Sequence, residues 1–414
     1  MTRPTFLRRS GVDRLPADVY VLGVISFFVA VGFGVVIPVL PVFTRSFGVG
    51  QLETGLVISA FAVMRLVTSP FTGRLIDRAG ERVILAIGIL IVAASSAAIG
   101  LAGSYGQLLV FRAAGGIGSA MFTVSAMTLL IRSVPDSHRG RATGTFQTGF
   151  LIGNMTGPAV GGLLAAVSIR APFFFYAGTL VAAAVVGMVM LHRPGASTGG
   201  TRPVAEVALS RPFRRILADS RYQAALVCNF ANGWSSLGIR SSLTPVLVVE
   251  VLHRDPVWTG LTIAIASVVQ TIALRPAGLF VDRIGRRPAM ITGSLIGGLS
   301  MLAVAFVPDV GSLIGVLCAY ALAVSLMGTA PAATVGDIAG PRSGTPVAVF
   351  SMASDAGQIF GPIVAGVIAD RVGIPFAYVT ATLLMGLAAL ASARMPRRTP
   401  PVPTKETAPM TPDA

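Results

Sequence analysis

Five ionisable side chains stand inside stretches that are otherwise almost wholly apolar: Arg65, Arg112, Arg240, Arg275 and Asp355. A charge at the centre of a membrane helix costs about 2.5–3.5 kcal/mol on insertion scales, so each needs a use. Asp355 is the one carboxylate among them. It and Arg65 are expected at similar depths, each well inside its helix. Arg112 and Arg240 lie toward the outer side. Arg275 is close enough to Asp282 to snorkel inward along its own helix. Polar residues accompany these charges at helical spacing. Asn229, Asn232, Ser236 and Arg240 form one face, and Ser351, Asp355 and Gln358 a second. Gly357 is turned about 200° away from Asp355. Gln270 and Asn154 are further isolated polar residues. The two polar faces, with Gln270 and Asn154, are the expected lining of a central polar cavity. Trp234 is offset from that face and reads as a packing or interfacial residue.

The groups needed for catalysis do not assemble. His138, His192 and His253 all fall in loops or at helix ends. Cys228 and Cys318 sit in apolar stretches with no metal or disulfide spacing, and read as small buried residues. There is no Ser/His/Asp grouping and no nucleotide-binding P-loop. Neither an enzyme nor an ATP-driven machine is expected, and no cofactor or metal is implied.

Long apolar helices must position these residues. Of 414 residues, 53% are hydrophobic and 12% charged, too little charge to coat a soluble protein of this length. Charge-free runs cover Val19 to Thr44, Val83 to Phe111, Ala142 to Ile169, Ala171 to Leu191, Pro288 to Pro308 and Val372 to Ala393. About 20 apolar residues cross the hydrocarbon core as a helix. The runs are too long, and alternate too little, for barrel strands. The first run is too long for a cleavable signal and is expected to remain as helix one.

The expected class is an all-α integral membrane protein with twelve transmembrane helices in two six-helix bundles. Helices are placed at 18–44, 54–73, 83–102, 106–131, 143–168 and 172–191, then at 222–249, 256–280, 288–307, 311–335, 345–369 and 373–394. The division is 1–17 as an N-terminal cytoplasmic segment, 18–191 and 222–394 as bundles, 192–221 as a linker with a short surface helix near 212–220, and 395–414 as a tail. The net charge of +15 follows topology rather than a nucleic-acid face. Arg45, Arg170, Arg254 and Arg371 fall outside and four arginines fall within helices. All the other Lys and Arg residues fall on one side, which places both termini in the cytoplasm.

The two halves repeat. Gly73-Arg-Leu-Ile-Asp77-Arg78-Ala-Gly80-Glu-Arg82 returns as Gly278-Leu-Phe-Val-Asp282-Arg283-Ile-Gly285-Arg286-Arg287, with the aspartates 205 positions apart. Gly153-Asn-Met-Thr-Gly157-Pro158 returns as Gly357-Gln-Ile-Phe-Gly361-Pro362, at an offset of 204. Two unrelated motifs sharing one offset indicate parallel halves. The halves do not match in charge: Leu151 stands opposite Asp355, and Gln270 opposite Arg65.

These residues resemble the major facilitator superfamily over essentially the whole folded chain. The resemblance implies a secondary transporter working by alternating access. The loop from Gly73 to Arg82 matches the family signature, which in relatives stabilises the outward-facing state against helix eleven. Asp77 is suited to face a helix N-terminus, and Arg78 and Arg82 to bridge acceptors. Gly80 suits the tight reversal. Gly144, Gly153, Gly157, Pro158, Gly161 and Gly162 resemble the helix-five motif of the proton-coupled exporters, although close helix packing alone also favours such a stripe. Leu108, Arg112, Gly116, Gly118, Ser119 and Ala120 resemble the exporter motif of helix four, where the arginine is linked to proton transfer. Gly115 replaces that motif's usual Gln.

In this family helices two and eleven are neighbours across the halves, so Asp355 and Arg65 are expected to interact. Protonation of Asp355 would release the pair and bias the halves; a static packing role is the alternative. No acid stands in helix one between Val19 and Thr44, which leaves coupling to Asp355, with Glu53 peripheral. The expected activity is proton-coupled efflux of small molecules or drugs by a monomer in the inner (plasma) membrane. Its partners would be a small-molecule substrate, protons and lipid, with no nucleic acid. An uptake symporter, including one for an anionic metabolite, and a non-transporting receptor on the same fold are the alternatives.

Overall fold

Backbone polar groups in lipid must be satisfied within their own segment, and the long apolar runs accordingly become helices. The computed structural model describes residues 15–135, 138–191, 213–339 and 344–396. Among these residues there is no strand. The first half consists of α1 (Ala17–Val36), α2 (Leu40–Arg45), α3 (Gln51–Ala79), α4 (Glu81–Leu101), α5 (Tyr105–Arg132), α6 (Arg139–Val167) and α7 (Ala171–Met190). A short α8 (Phe213–Ala218) leads into the second half. There α9 (Ser220–Gly233) and α10 (Ser241–Val246) form one span, followed by α11 (Pro256–Ile284), α12 (Arg286–Val304), α13 (Val310–Ala339), α14 (Gly344–Arg371) and α15 (Ile374–Ala393).

Two expected elements differ. Helix one does not run unbroken to residue 44. It stops at Val36, turns, and resumes as α2 at Leu40. Pro38 and Pro41 lack the amide hydrogens that would continue it. The seventh span is interrupted by two π-helical segments, Trp234–Arg240 and Leu247–Val251. Among the described residues eleven helices are long and apolar enough to cross a membrane unbroken, and this interrupted span makes a twelfth crossing. The short helix expected before it is present as α8. The segments 1–14, 192–212 and 397–414, which hold most of the expected N-terminal segment, linker and tail, lie outside the described residues.

Each half has its own apolar core. Leu22, Ile25, Leu85, Ile89 and Phe173 anchor one, and Tyr222, Met290, Leu317, Tyr320 and Met385 the other. Large apolar side chains such as Val189, Ile272, Leu299 and Leu383 face outward, as a lipid-facing surface requires.

The glycine stripe of α6 packs on α1. A Cβ on Gly157 would lie 2.5 Å from the Val31 carbonyl oxygen, and one on Gly161 would lie 2.3 Å from that of Val35. The equivalent stripe on α14 meets the seventh span: a Cβ on Gly357 would lie 2.4 Å from the Phe230 carbonyl oxygen. Only glycine allows backbones this close. Gly80 and Gly285 are conserved in role between the halves for another reason. Their φ angles of 82° and 108° allow α3 to turn into α4, and α11 into α12.

Candidate functional site

The two halves touch at one end of the molecule and part toward the other. The touching end is built from α2, the starts of α3 and α11, and the ends of α6 and α14. There the Arg45 guanidinium donates from Nε and Nη2 to the two carboxylate oxygens of Glu250, both at 3.0 Å. This is the bidentate geometry that favours arginine. Asp370, in the last turn of α14, accepts from the backbone N–H groups of Gln51 and Leu52, both at 2.8 Å. A carboxylate of one half thus caps the positive N-terminus of a helix in the other. Ser59 donates to the Ile359 carbonyl at 2.6 Å.

Close backbone contact between the halves occurs at equivalent crossings, α3 with α14 and α11 with α6. A Cβ on Gly55 of α3 would lie 2.3 Å from the Pro362 carbonyl oxygen of α14. A Cβ on Gly260 of α11 would lie 2.3 Å from the Pro158 carbonyl oxygen of α6. Both pairs are related by the repeat offset, and the sequence signals them in Thr54-Gly55-Leu56 and Thr259-Gly260-Leu261. Sequence reasoning missed this match. It also missed Arg45 and Glu250, which are themselves 205 apart.

Arg65 and Asp355 meet deeper in the interface. The Arg65 Nη2 donates to Asp355 Oδ1 at 3.1 Å, joining α3 to α14. Both side chains keep about a third of their surface exposed, 34% and 28%. The contact therefore lies where water can reach it, beside an open space between the halves.

That space is a cavity of about 470 Å³. Among its walls are Asn154, Asn232, Ser236, Arg240 and Gln270, all expected there from the sequence, and Arg65, expected only as a coupling residue. The remaining candidates fall elsewhere. Asn229 donates its amide to the Phe350 carbonyl at 2.7 Å and fixes α9 on α14. Ser351 is exposed, and Ser354 lines the cavity in its place. Gln358 and Arg112 line a smaller adjoining cavity of about 110 Å³, which shares Phe33, Ile37, Arg65, Leu237 and Ser241 with the larger one. Arg275 is exposed on α11 and lines neither. Trp234 is buried, stacks near Phe230 and donates to Thr380, so it is a packing residue.

The π segment Trp234–Arg240 matters here because it presents Ser236 and Arg240 to the cavity. Such widened turns are frequent at functional sites. Arg240 lies 5.9 Å from the Tyr320 ring centre. Arg112 is only 6% exposed, and its guanidinium sits 4.3 Å from the Phe61 ring centre. Gly115 stands where the exporter motif has Gln, and Arg112 Nε is buried with no hydrogen-bond partner among the described residues.

At the opposite, parted end the repeated signature is helical rather than a free loop. Gly73, Asp77 and Arg78 lie in the last turns of α3, and Gly278, Asp282 and Arg283 in those of α11. Arg82, Arg286 and Arg287 lie in the first turns of α4 and α12. A Cβ on Gly73, Gly278 or Gly144 would meet nothing within 4 Å. Ionic contacts here that join elements within one half are Glu81 with Arg132, Arg286 with Asp337 at 3.0 Å, and Arg286 with Asp282 at 3.6 Å. Arg287 donates to the Ala393 carbonyl at 2.7 Å.

Comparison with known proteins agrees with this architecture. The family model described as Major Facilitator Superfamily matches residues 22–274 and 225–412. Multidrug resistance protein 1 of Bacillus subtilis (strain 168) is 30% identical over 372 residues, covering 87% of this chain and 92% of the relative. Quinolone resistance protein NorA of Staphylococcus aureus (strain MRSA252) is 28% identical over 364 residues, covering 85% and 90%. A bacterial homologue of the human lysosomal transporter Spinster, solved in an inward-facing, unoccupied conformation, superimposes with a TM-score of 0.79 at 17% identity, over 95% of this chain and all of that one. The nucleoside transporter NupG gives 0.75 at 13% identity, covering 91% and 99%. With twelve crossings in two repeated halves around a central cavity, the chain belongs to the major facilitator superfamily of multi-pass membrane transporters.

Proposed function

We propose that this transporter exports small organic molecules, drugs among them, in exchange for protons. The observation that carries the reading is the Arg65–Asp355 contact, which joins the two halves beside the cavity. A proton on Asp355 removes the charge that holds Arg65. It thereby favours whichever arrangement separates α3 from α14. The multidrug and quinolone resistance relatives support outward transport of drugs, as does the helix-five motif from Gly144 to Gly162.

In this reading the parted, arginine-rich end faces the cytoplasm, with both termini on that side of the plasma membrane. The conformation is then open to the cytoplasm and sealed outside by Arg45–Glu250, Asp370 and the two glycine–proline contacts. Asp77, Arg78 and Arg82 are disengaged in this state and engage α14 when the inner end closes. Asn154, Asn232, Ser236, Arg240 and Gln270 contact substrate. The chain works as a monomer, because each copy holds a complete cavity.

Everted and right-side-out vesicles separate export from import. A drug-susceptibility panel on deletion and overexpression strains identifies compounds to load. Accumulation in everted vesicles on imposing an acidic interior supports the proposal. Accumulation only in right-side-out vesicles would show an importer.

A further inference from the structure

The cavities carry a charge imbalance that the coupling pair does not remove. Arg65, Arg112 and Arg240 line them, and no carboxylate does. Asp355 answers Arg65 alone. Arg240 makes one long hydrogen bond, from Nε to the Ser236 carbonyl at 3.4 Å. It has no ion pair among the described residues, and Tyr320 and Tyr378 are its other polar neighbours. Arg112 is buried against Phe61 with Nε unpartnered. A guanidinium carries five N–H donors in a planar fork, and most of those on Arg240 and Arg112 are unused.

Retaining two such groups in a low-dielectric space is costly unless something negative visits them. The wall between them is mostly apolar: Phe33, Ile37 and Leu237 belong to both cavities, together with Arg65 and Ser241. Asn232 also lines the larger cavity, and its Oδ1 is buried with no hydrogen-bond partner among the described residues. The Nδ2 end of that amide carries two N–H donors, which suit an oxygen acceptor.

We propose that the preferred substrates are amphiphilic organic anions. The Arg240 fork and the Asn232 amide hold a carboxylate-class group, Phe33, Ile37 and Leu237 hold the apolar body, and Arg112 supplies positive charge at the far end of the same space. A bidentate guanidinium–carboxylate pair suits this geometry better than a lysine point charge would. The inference rests on the cavity being the transport site, but not on the direction of transport.

The test is binding by the full-length protein in phosphatidylcholine nanodiscs, where no lipid carries net charge. The probes are two matched pairs: naphthoate with naphthamide, and octanoate with octanamide. Each anion should bind at least about tenfold more tightly than its amide. Arg240→Gln should abolish that preference by weakening the anions far more than the amides, and the amide binding that remains shows that the variant is folded. Arg240→Lys should restore part of the preference. Arg112→Gln should weaken both anions by a smaller factor. Equal affinity for anion and amide, no binding by either anion, or a preference that survives Arg240→Gln overturns the proposal. Anion binding without accumulation in everted vesicles would retire the export reading alone. Accumulation of substrates with no anion preference would retire this one alone.

Discussion

At the residue scale, the contact between Arg65 and Asp355 distinguishes the two halves. Their repeat partners, Gln270 and Leu151, cannot form it. Replacing Asp355 by Asn keeps the shape and removes the titratable charge. Arg65→Gln should have the same effect on proton-driven accumulation, and the Arg65→Gln, Asp355→Asn double variant should be no worse than either single one. A double-mutant cycle on transport rate checks this: strong non-additivity is expected for a working pair. The pair was legible because matching depth and neighbouring helices constrain it strongly. Ser351 was misplaced because helical phase alone takes no account of level. It sits one turn beyond Asp355, toward the parted end, where the side chain is exposed rather than enclosed. Asn229 was misplaced for a related reason. At its level α9 already touches α14, so its amide is taken by the Phe350 carbonyl.

At the element scale, two backbone crossings hold the closed end. Gly55 on the Pro362 carbonyl and Gly260 on the Pro158 carbonyl leave no room for a methyl group. Overpacking of this kind costs about 1–3 kcal/mol, and here the cost falls on the closed-end-sealed conformation. Gly55→Ala and Gly260→Ala should therefore each shift the population toward separation of that end. Spin labels at exposed Gly103 and Pro308, in a Cys228→Ser, Cys318→Ser background, report it through electron–electron distances. Longer distances in both variants are expected, and unchanged distributions would remove these crossings from the gate.

The stripe on α6 gives a different result, because Gly153, Gly157 and Gly161 pack against α1 inside one half. Substitution there should lower stability rather than bias the conformation. Thermal unfolding of Gly157→Ala, set beside Gly55→Ala, separates the two effects. The stripe itself was plain in the sequence, through a four-residue period. Its partner helix was not, since a period says which face is small and nothing about what meets it. The π segments were invisible for a similar reason. An extra residue in a turn changes phase without changing composition.

At the scale of the whole molecule, the repeat explains the gate. Residues at equivalent positions that touch must lie beside the pseudo-two-fold axis, and Arg45 and Glu250 do so with opposite charges. Glu250→Arg should open the closed end by charge repulsion, and Arg45→Glu in the same chain should reseal it. The pair is partly exposed, so the expected bias is modest, about 1 kcal/mol or a few-fold in population. The same labels at Gly103 and Pro308 measure it. The two-bundle fold was readable throughout, because apolar length, charge placement and the 204–205 offset all agree. Which end is shut was not readable, since both ends carry the matched motifs needed to close.

Export is proposed to be driven by a proton on Asp355. The most direct measurement is substrate accumulation in everted vesicles with an imposed proton gradient, for the parent protein and for Asp355→Asn. Gradient-driven accumulation that a protonophore abolishes is expected in the parent. In Asp355→Asn equilibration without accumulation is expected, while counterflow exchange at zero gradient continues. Full proton-driven accumulation by Asp355→Asn would contradict the proposal.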